Sequence, residues 1–181
     1  MKKIFTVIAA LMIVTFAFSG CAKKQQANKP SDNPMSDTQK TPEKEEKETE
    51  LTLYFANSNA QLEKVTEKKA IGDTTVEKAV VEALIDGPDD ESFIPVIPQE
   101  TKVNSVKTED SVCTVDLSKE FVSKRTGGTS TDMLAVYSIV NSLTELDGTD
   151  SVQFLIDGEK LEIFGGLIFD EPFTADKSLI K

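Results

Sequence analysis

A chain of 181 residues with Lys+Arg 20 against Asp+Glu 31, a net charge of −11, is too acidic to be drawn to nucleic-acid phosphates or anionic wall polymers. It has no histidine, which excludes Ser-His-Asp and Cys-His catalysis and any histidine-ligated zinc site. Neither a GxxxxGK[ST] nor a GxGxxG run occurs, so nucleotide chemistry has no phosphate-cradling loop, and no cofactor or metal is expected.

The first element is hydrophobic. Lys2 and Lys3 precede an almost wholly apolar run from Ile4 to Phe18, and the small residues Ser19 and Gly20 lead to Cys21. This is the layout of a secretory signal peptide, expected over residues 1–20. Its apolar core of about fifteen residues is shorter than the roughly twenty that a membrane-spanning helix needs. Phe18-Ser19-Gly20-Cys21 resembles a bacterial lipobox, with Phe18 where leucine is commonest. The resemblance implies that Cys21 becomes the multiply acylated first residue, palmitate among its chains. One acyl chain alone binds a membrane only marginally, and several together anchor stably. Cleavage before Cys21 would remove Lys2 and Lys3 and no acid, taking the side-chain balance from −11 to −13.

From Ala22 to Glu50 the chain is built of Lys, Glu, Gln, Pro, Ser, Thr, Asn and Asp, with Met35 its one large apolar side chain. Such a stretch cannot bury enough apolar surface to offset its ordering entropy. Residues 21–50 are therefore expected to be a lipidated cysteine and a disordered polar tether, with a mean reach on the order of 30 Å.

Residues 51–181 suffice for one domain with one core. Leu51–Ala56, "LTLYFA", alternates and is rich in strand formers, and "QLEKVTEKKAI" supplies a second expected strand. "GDTTVEKAVVEALIDGP" predicts a helix. Thr74 and Glu77 have capping-box spacing, Val76, Ala79, Val80, Ala83 and Leu84 form one apolar stripe, and Gly87-Pro88 ends it. Next comes the densest carboxylate cluster of the domain, Asp86, Asp89, Asp90 and Glu91. A wall hydrolase using Asp89 or Glu91 would need two carboxylates about 5–10 Å apart and a platform for sugar stacking. Only Phe93 lies near and the chain has no tryptophan, so a helix stop and a solvated turn is the better reading.

"TKVNSVKTEDSVCTVDLS" predicts a hairpin that turns at Glu109-Asp110-Ser111. Cys113, Val115 and Leu117 alternate onto one face of its second strand, which makes Cys113 a core residue rather than a reactive thiol. "SKRTGGTSTD" follows, with adjacent Lys124 and Arg125, then Gly127-Gly128 and a helix start that Thr129, Ser130 or Thr131 could cap. Backbone N–H groups at a helix N-terminus can receive an anion. Lys124, Arg125, Gly127, Gly128, Thr129 and Ser130 thus form a possible site for a cell-wall fragment or small anion, beside the plainer reading of a loop and cap.

The helix that begins there carries Met133, Val136, Val140 and Leu143 on one stripe, with Gly148 as its expected stop. Asp157-Gly158 is the strongest short hairpin signal of the chain. The final stretch, "FGGLIFDEPF", is unusually apolar. Phe164, Leu167, Phe169 and Phe173 form either a last strand packed under a helix or a surface that pairs with a partner protein. The order of elements predicts an α+β domain, a mixed, mostly antiparallel sheet of about five to six strands with two helices on one face.

Seven segments, "LTLYFANSN", "EKAVVEALIDGP", "IPQETKVNSV", "CTVDLSKEF", the Gly127-Gly128 pair, "IVNSLTELDGTDSVQFLIDGE" and "FGGLIFDEPF", resemble in content and order the GerMN domain of sporulation and spore germination lipoproteins. The resemblance spans nearly all of Leu51–Phe173 in a single copy, where some relatives carry two. It implies a compact domain with no established enzymatic activity, held on the outer face of the bacterial cytoplasmic membrane. It also implies protein partners of the cell envelope, and an interaction role in sporulation, germination or envelope assembly.

Overall fold

The computed structural model describes residues 48–181; the expected signal peptide, Cys21 and the tether up to residue 47 lie outside the described residues. Strands β1 (Glu48–Asn57) and β2 (Leu62–Ala70) form an antiparallel hairpin with Ala56 opposite Leu62 and Glu48 opposite Ala70. Strand β1 thus includes Glu48–Glu50, residues of the stretch expected as tether. Glu50 lies opposite Lys68, and this cross-strand charge match favours pairing where composition alone argues for a linker. Asn57 closes the loop, its side-chain oxygen accepting from the N–H groups of Asn59 at 2.9 Å and Gln61 at 3.2 Å.

Helix α1 (Val76–Asp86) begins one residue later than its capping-box spacing suggests. Thr74 is held in the preceding turn by its N–H bond to the Ile71 carbonyl, so Thr75 becomes the cap and its hydroxyl accepts from Lys78 N–H. Gly87, at φ +89°, ends the helix as expected, its N–H reaching the Ala83 carbonyl. The short β3 (Phe93–Ile94) pairs with the last two residues of β1. Strands β4 (Val103–Glu109) and β5 (Val112–Leu117) make the expected hairpin, with Asp110 and Ser111 both left-handed in its two-residue turn.

From β5 the chain crosses through α2 (Glu120–Ser123) and α3 (Thr129–Leu143) to β6 (Ser151–Ile156), which pairs parallel with β5. Parallel neighbours require a crossover of this kind. A turn at Asp157-Gly158 leads to β7 (Glu159–Lys160), and β8 (Ile163–Phe164) pairs only with β9 (Leu167–Ile168). The α+β class and mostly antiparallel pairing are as expected. The strands fall into three sheets, β2-β1-β3, β4-β5-β6-β7 and β8-β9, instead of one. Four of them are two residues long and too short to knit the layers into a continuous ladder.

Helices α1 and α3 pack on each other and on β1, with α1 also reaching β4 and α3 reaching β6. Helix α3 ends at Leu143, well before Gly148: the Thr144 hydroxyl donates to the Val140 carbonyl at 2.8 Å, and the Leu146 N–H turns back to the Leu143 carbonyl at 3.1 Å. Ten of its fifteen residues are buried, a wider face than the Met133–Leu143 stripe. The extra coverage comes from the C-terminal segment, which Asn141 clamps by accepting from Asp176 N–H at 3.0 Å and donating to the Asp176 carbonyl at 3.3 Å. Because β3 covers only Asn57 and Ala56, the Tyr54 N–H has no strand partner on that side; it donates to the Ser142 hydroxyl at 2.9 Å.

Phe154 on β6 is fully buried and meets the rings of Phe121, Phe169 and Phe173 at centroid distances of 6.5, 5.7 and 5.9 Å. Cys113 packs in the same core, and burial pushes its thiol up. It is the inert core residue its alternation predicts.

Truncating the central ring, Phe154→Ala, should cost about 3–5 kcal/mol in chemical denaturation. A second outcome concerns pH. The Tyr54 hydroxyl is buried against Glu145, donating to it at 2.8 Å, and desolvation and that bond push the phenol up to about 12. An unfolded chain loses this proton near the ordinary value of 10, so the associated stability is complete below pH 10 and declines between 10 and 12. Tyr54→Phe should flatten that decline in thermal melts and lower stability near neutrality by about 1 kcal/mol.

Candidate functional site

The loop Lys124–Gly128 joins α2 to α3, and its geometry follows from one ion pair. Arg125 Nη1 donates to Asp132 Oδ2 at 2.7 Å. Asp132 is 2 % exposed and Arg125 49 % exposed, so a buried carboxylate in the first turn of α3 is neutralised by a cation folded over it from the loop. The same guanidinium lies 5.6 Å from the centre of the Phe164 ring. Gly165 completes the arrangement: a Cβ there would overlap the Asp132 side chain, and its φ of +59° already favours glycine. A cavity of about 480 Å³ opens here, lined by Val122, Arg125, Thr129, Phe164, Gly165 and Gly166. Two segments that the sequence marks separately, Lys124–Ser130 and the start of "FGGLIFDEPF", are thus one structural unit.

The details differ from expectation at both segments. The cap of α3 is Gly128, which makes no side-chain bond, and Thr129 and Ser130 stand exposed in the first turn. Arg125 is engaged by Asp132, which leaves Lys124 as the loop's uncommitted cation among the described residues. In the apolar segment, Phe164 is 4 % and Phe169 0 % exposed, so these two are core and not an outward surface, while Leu167 and Phe173 are half-buried. Strand alternation gives the reason. Gly165 and Gly166, both at positive φ, make a two-residue turn that sets Phe164 opposite Leu167 on the inner face and Ile163 opposite Ile168 on the outer. Ile163 and Ile168, each 66 % exposed, are the apolar residues that face out. The alternation around Phe164 held this signal, and the double glycine fixes its phase.

The acidic cluster Asp86–Glu91 does not assemble into a catalytic pair. Its acids face solvent, Asp86 lies 3.8 Å from Lys69, and Asp90 accepts from Ser92 N–H at 2.8 Å. Those Ser92 bonds draw the Asp90 carboxyl below its usual range, opposite to what a proton-donating acid needs. Phe93 packs on Phe55 with ring centres 6.1 Å apart, so it offers no free stacking platform. A larger, open cleft of about 890 Å³ runs between the end of α3 and the C-terminal segment, past Tyr54, Asn141, Glu145 and Lys177. Its polar groups largely satisfy one another, with Lys64 and Tyr54 both on Glu145. The described residues contain no group of three metal-ligating side chains and no helix long and apolar enough to cross a membrane.

The ion pair should separate two neighbouring basic positions, Lys124 and Arg125. Lys124→Ala should shift stability by less than about 0.5 kcal/mol. Arg125→Ala strands the Asp132 carboxylate and should cost about 1–3 kcal/mol in denaturant midpoints. Gly165→Ala should be at least as damaging, since a Cβ there meets Asp132 as well as an unfavourable φ.

Residues 52–162 match the family described as "Germane: Sporulation and spore germination". No curated protein matches the chain. Among solved structures, the tandem GerMN domains of the sporulation protein GerM from Bacillus subtilis align with a TM-score of 0.61 at 21% identity over 74% of this chain. This chain spans only 48% of that one. The first GerMN domain of the same protein gives a TM-score of 0.52 at 21% identity, covering 73% of this chain and 96% of that domain. A Clostridium perfringens protein described as a candidate lipoprotein gives 0.51 at 24% identity, covering 70% of this chain and 87% of its own. These likenesses show a shared fold, and the match over residues 52–162 places the chain in the sporulation and spore germination family, with a single GerMN-type domain.

Proposed function

We propose that the chain is an extracytoplasmic lipoprotein, anchored through Cys21 to the outer face of the cytoplasmic membrane. In this reading its domain is a non-catalytic docking module in sporulation, germination or envelope assembly. The observation that carries this reading is the spacing of two features: a lipobox-like Cys21, and a family domain that starts near residue 52 after a largely polar stretch. The mechanism is tethering. Acyl chains confine the domain to a surface, and the spacer raises its effective concentration for partners in the same envelope. The scattered, solvated acids of the Asp86–Glu91 turn support a non-catalytic role.

A second reading, capture of a cell-wall fragment or small anion at Lys124–Ser130, has one observation in its favour: α3 carries no side-chain cap and its first two residues, Thr129 and Ser130, are exposed. Asp132 weighs against it, since it sits beside the same loop and occupies Arg125.

The test of the first reading is labelled palmitate incorporation and in-cell crosslinking of the native chain beside Cys21→Ala. The native chain should take up label, fractionate with membranes and crosslink to envelope proteins that the variant fails to reach. An unlabelled native chain, or the same crosslinked set from both, would overturn it. For the second reading, muropeptide binding that disappears in Lys124→Ala with Arg125→Ala is the supporting result, and no muropeptide binding by the native chain ends it.

A further inference from the structure

We infer that the β8–β9 hairpin is the docking element of this domain, and that it receives a protein segment carrying an apolar anchor side chain flanked by basic residues. The inference rests on the docking reading above and names the surface and the partner chemistry.

Ile163 and Ile168 are directly opposed in the β8–β9 register and lie on one face, so their side chains form a single aliphatic knob. Each is 66 % exposed, against 47 % for Ile94, the other large exposed hydrophobic among the described residues. The knob is held rigidly from behind. Phe164 packs on Phe121 at 5.2 Å, Phe169 is fully buried, and Arg125 and Asp132 clasp Phe164 and Gly165. A surface already fixed in its bound shape loses little entropy on binding. The two isoleucines, with Leu161 and Phe169, also line a cavity of about 550 Å³, large enough for one aliphatic or aromatic side chain.

Charge selects the occupant. The cavity rim carries Glu162 and Asp170 against Lys160, and their chain neighbours Glu159 and Glu171 are exposed acids as well. An anionic lipid surface is repelled by this excess of acid, and an isologous contact with a second copy would set acid against acid. A segment with Lys or Arg on either side of its anchor residue is attracted by both features.

The experiment uses the full chain and labelled synthetic peptides with a central Trp or Leu, flanked by Lys/Arg, by Ser or by Asp/Glu, read by fluorescence anisotropy at low and moderate salt. The basic set should bind, more weakly as salt rises, and Ile163→Ser or Ile168→Ser should weaken it about tenfold or more. Both positions are exposed, so these variants should keep the native circular dichroism and melting profile. Glu162→Lys with Asp170→Lys should turn the preference to the acidic set. Equal binding of all three sets, or binding indifferent to both isoleucine variants, overturns the inference. So does saturable binding of the native chain to phosphatidylglycerol vesicles that needs Ile163 and Ile168, or a dimer in sedimentation that Ile168→Ser dissolves. Envelope crosslinks that persist in both isoleucine variants would leave the docking role standing and remove this surface from it.

Discussion

The constraint on which the rest of the domain depends is that β6 is buried on both faces. Val152, Gln153 and Phe154 are consecutive buried residues, which a strand with one solvated face cannot have. One side of β6 is closed by the parallel neighbour β5, and the Phe173 backbone bonds Val152 in both directions at 2.8 Å. Phe154 then becomes the point where α2, β6 and the segment after β8 meet, through Phe121, Phe169 and Phe173. Everything outward of that ring cluster, including the β8–β9 hairpin, inherits its position from it.

Short strands leave backbone groups to satisfy, and α3 does much of that with polar residues inside its buried face. The Ser142 hydroxyl donates to the Ser138 carbonyl at 2.7 Å while accepting from Tyr54, so one side chain joins helix and sheet. Gln153, buried in β6, reaches the Phe169 carbonyl at 3.4 Å and binds the final segment to the central strand. Leaving any one of these buried groups without a partner would cost about 1–3 kcal/mol, which explains why a helix so deeply covered is not wholly apolar.

Local signals in the sequence were legible where chemistry at one or two residues decides the geometry. Asp157-Gly158 and Asp110-Ser111 take left-handed conformations that such residues tolerate, and Gly87 ends α1, so both hairpins and the helix stop could be read directly. What depends on residues far apart could not. The parallel β5–β6 pair joins segments separated by two helices, and no local pattern records it. Arg125 reads as part of a basic loop, and nothing local marks Asp132 as its partner until the fold shows them bonded. In "FGGLIFDEPF" apolar residues fall on both faces of the hairpin, so composition alone does not say which set turns inward. Packing on Phe121 and Phe154 draws Phe164 and Phe169 inward and leaves the isoleucines outside.

The loop and the hairpin are therefore not independent surfaces. An anion that engaged Arg125 would compete with Asp132, and a displaced Asp132 is a carboxylate without its cation in a site 2 % open to water. That penalty opposes anion capture at Arg125 and leaves Lys124 and the exposed turn of α3 to supply the attraction. The same coupling favours docking, since the ion pair that weakens the loop as an anion site holds Phe164 and Gly165 in place and fixes the outward direction of Ile163 and Ile168. Arg125 acts here as a fastening for the hairpin more than as a ligand for solutes, and the domain gains from it an apolar projection on an acidic surface.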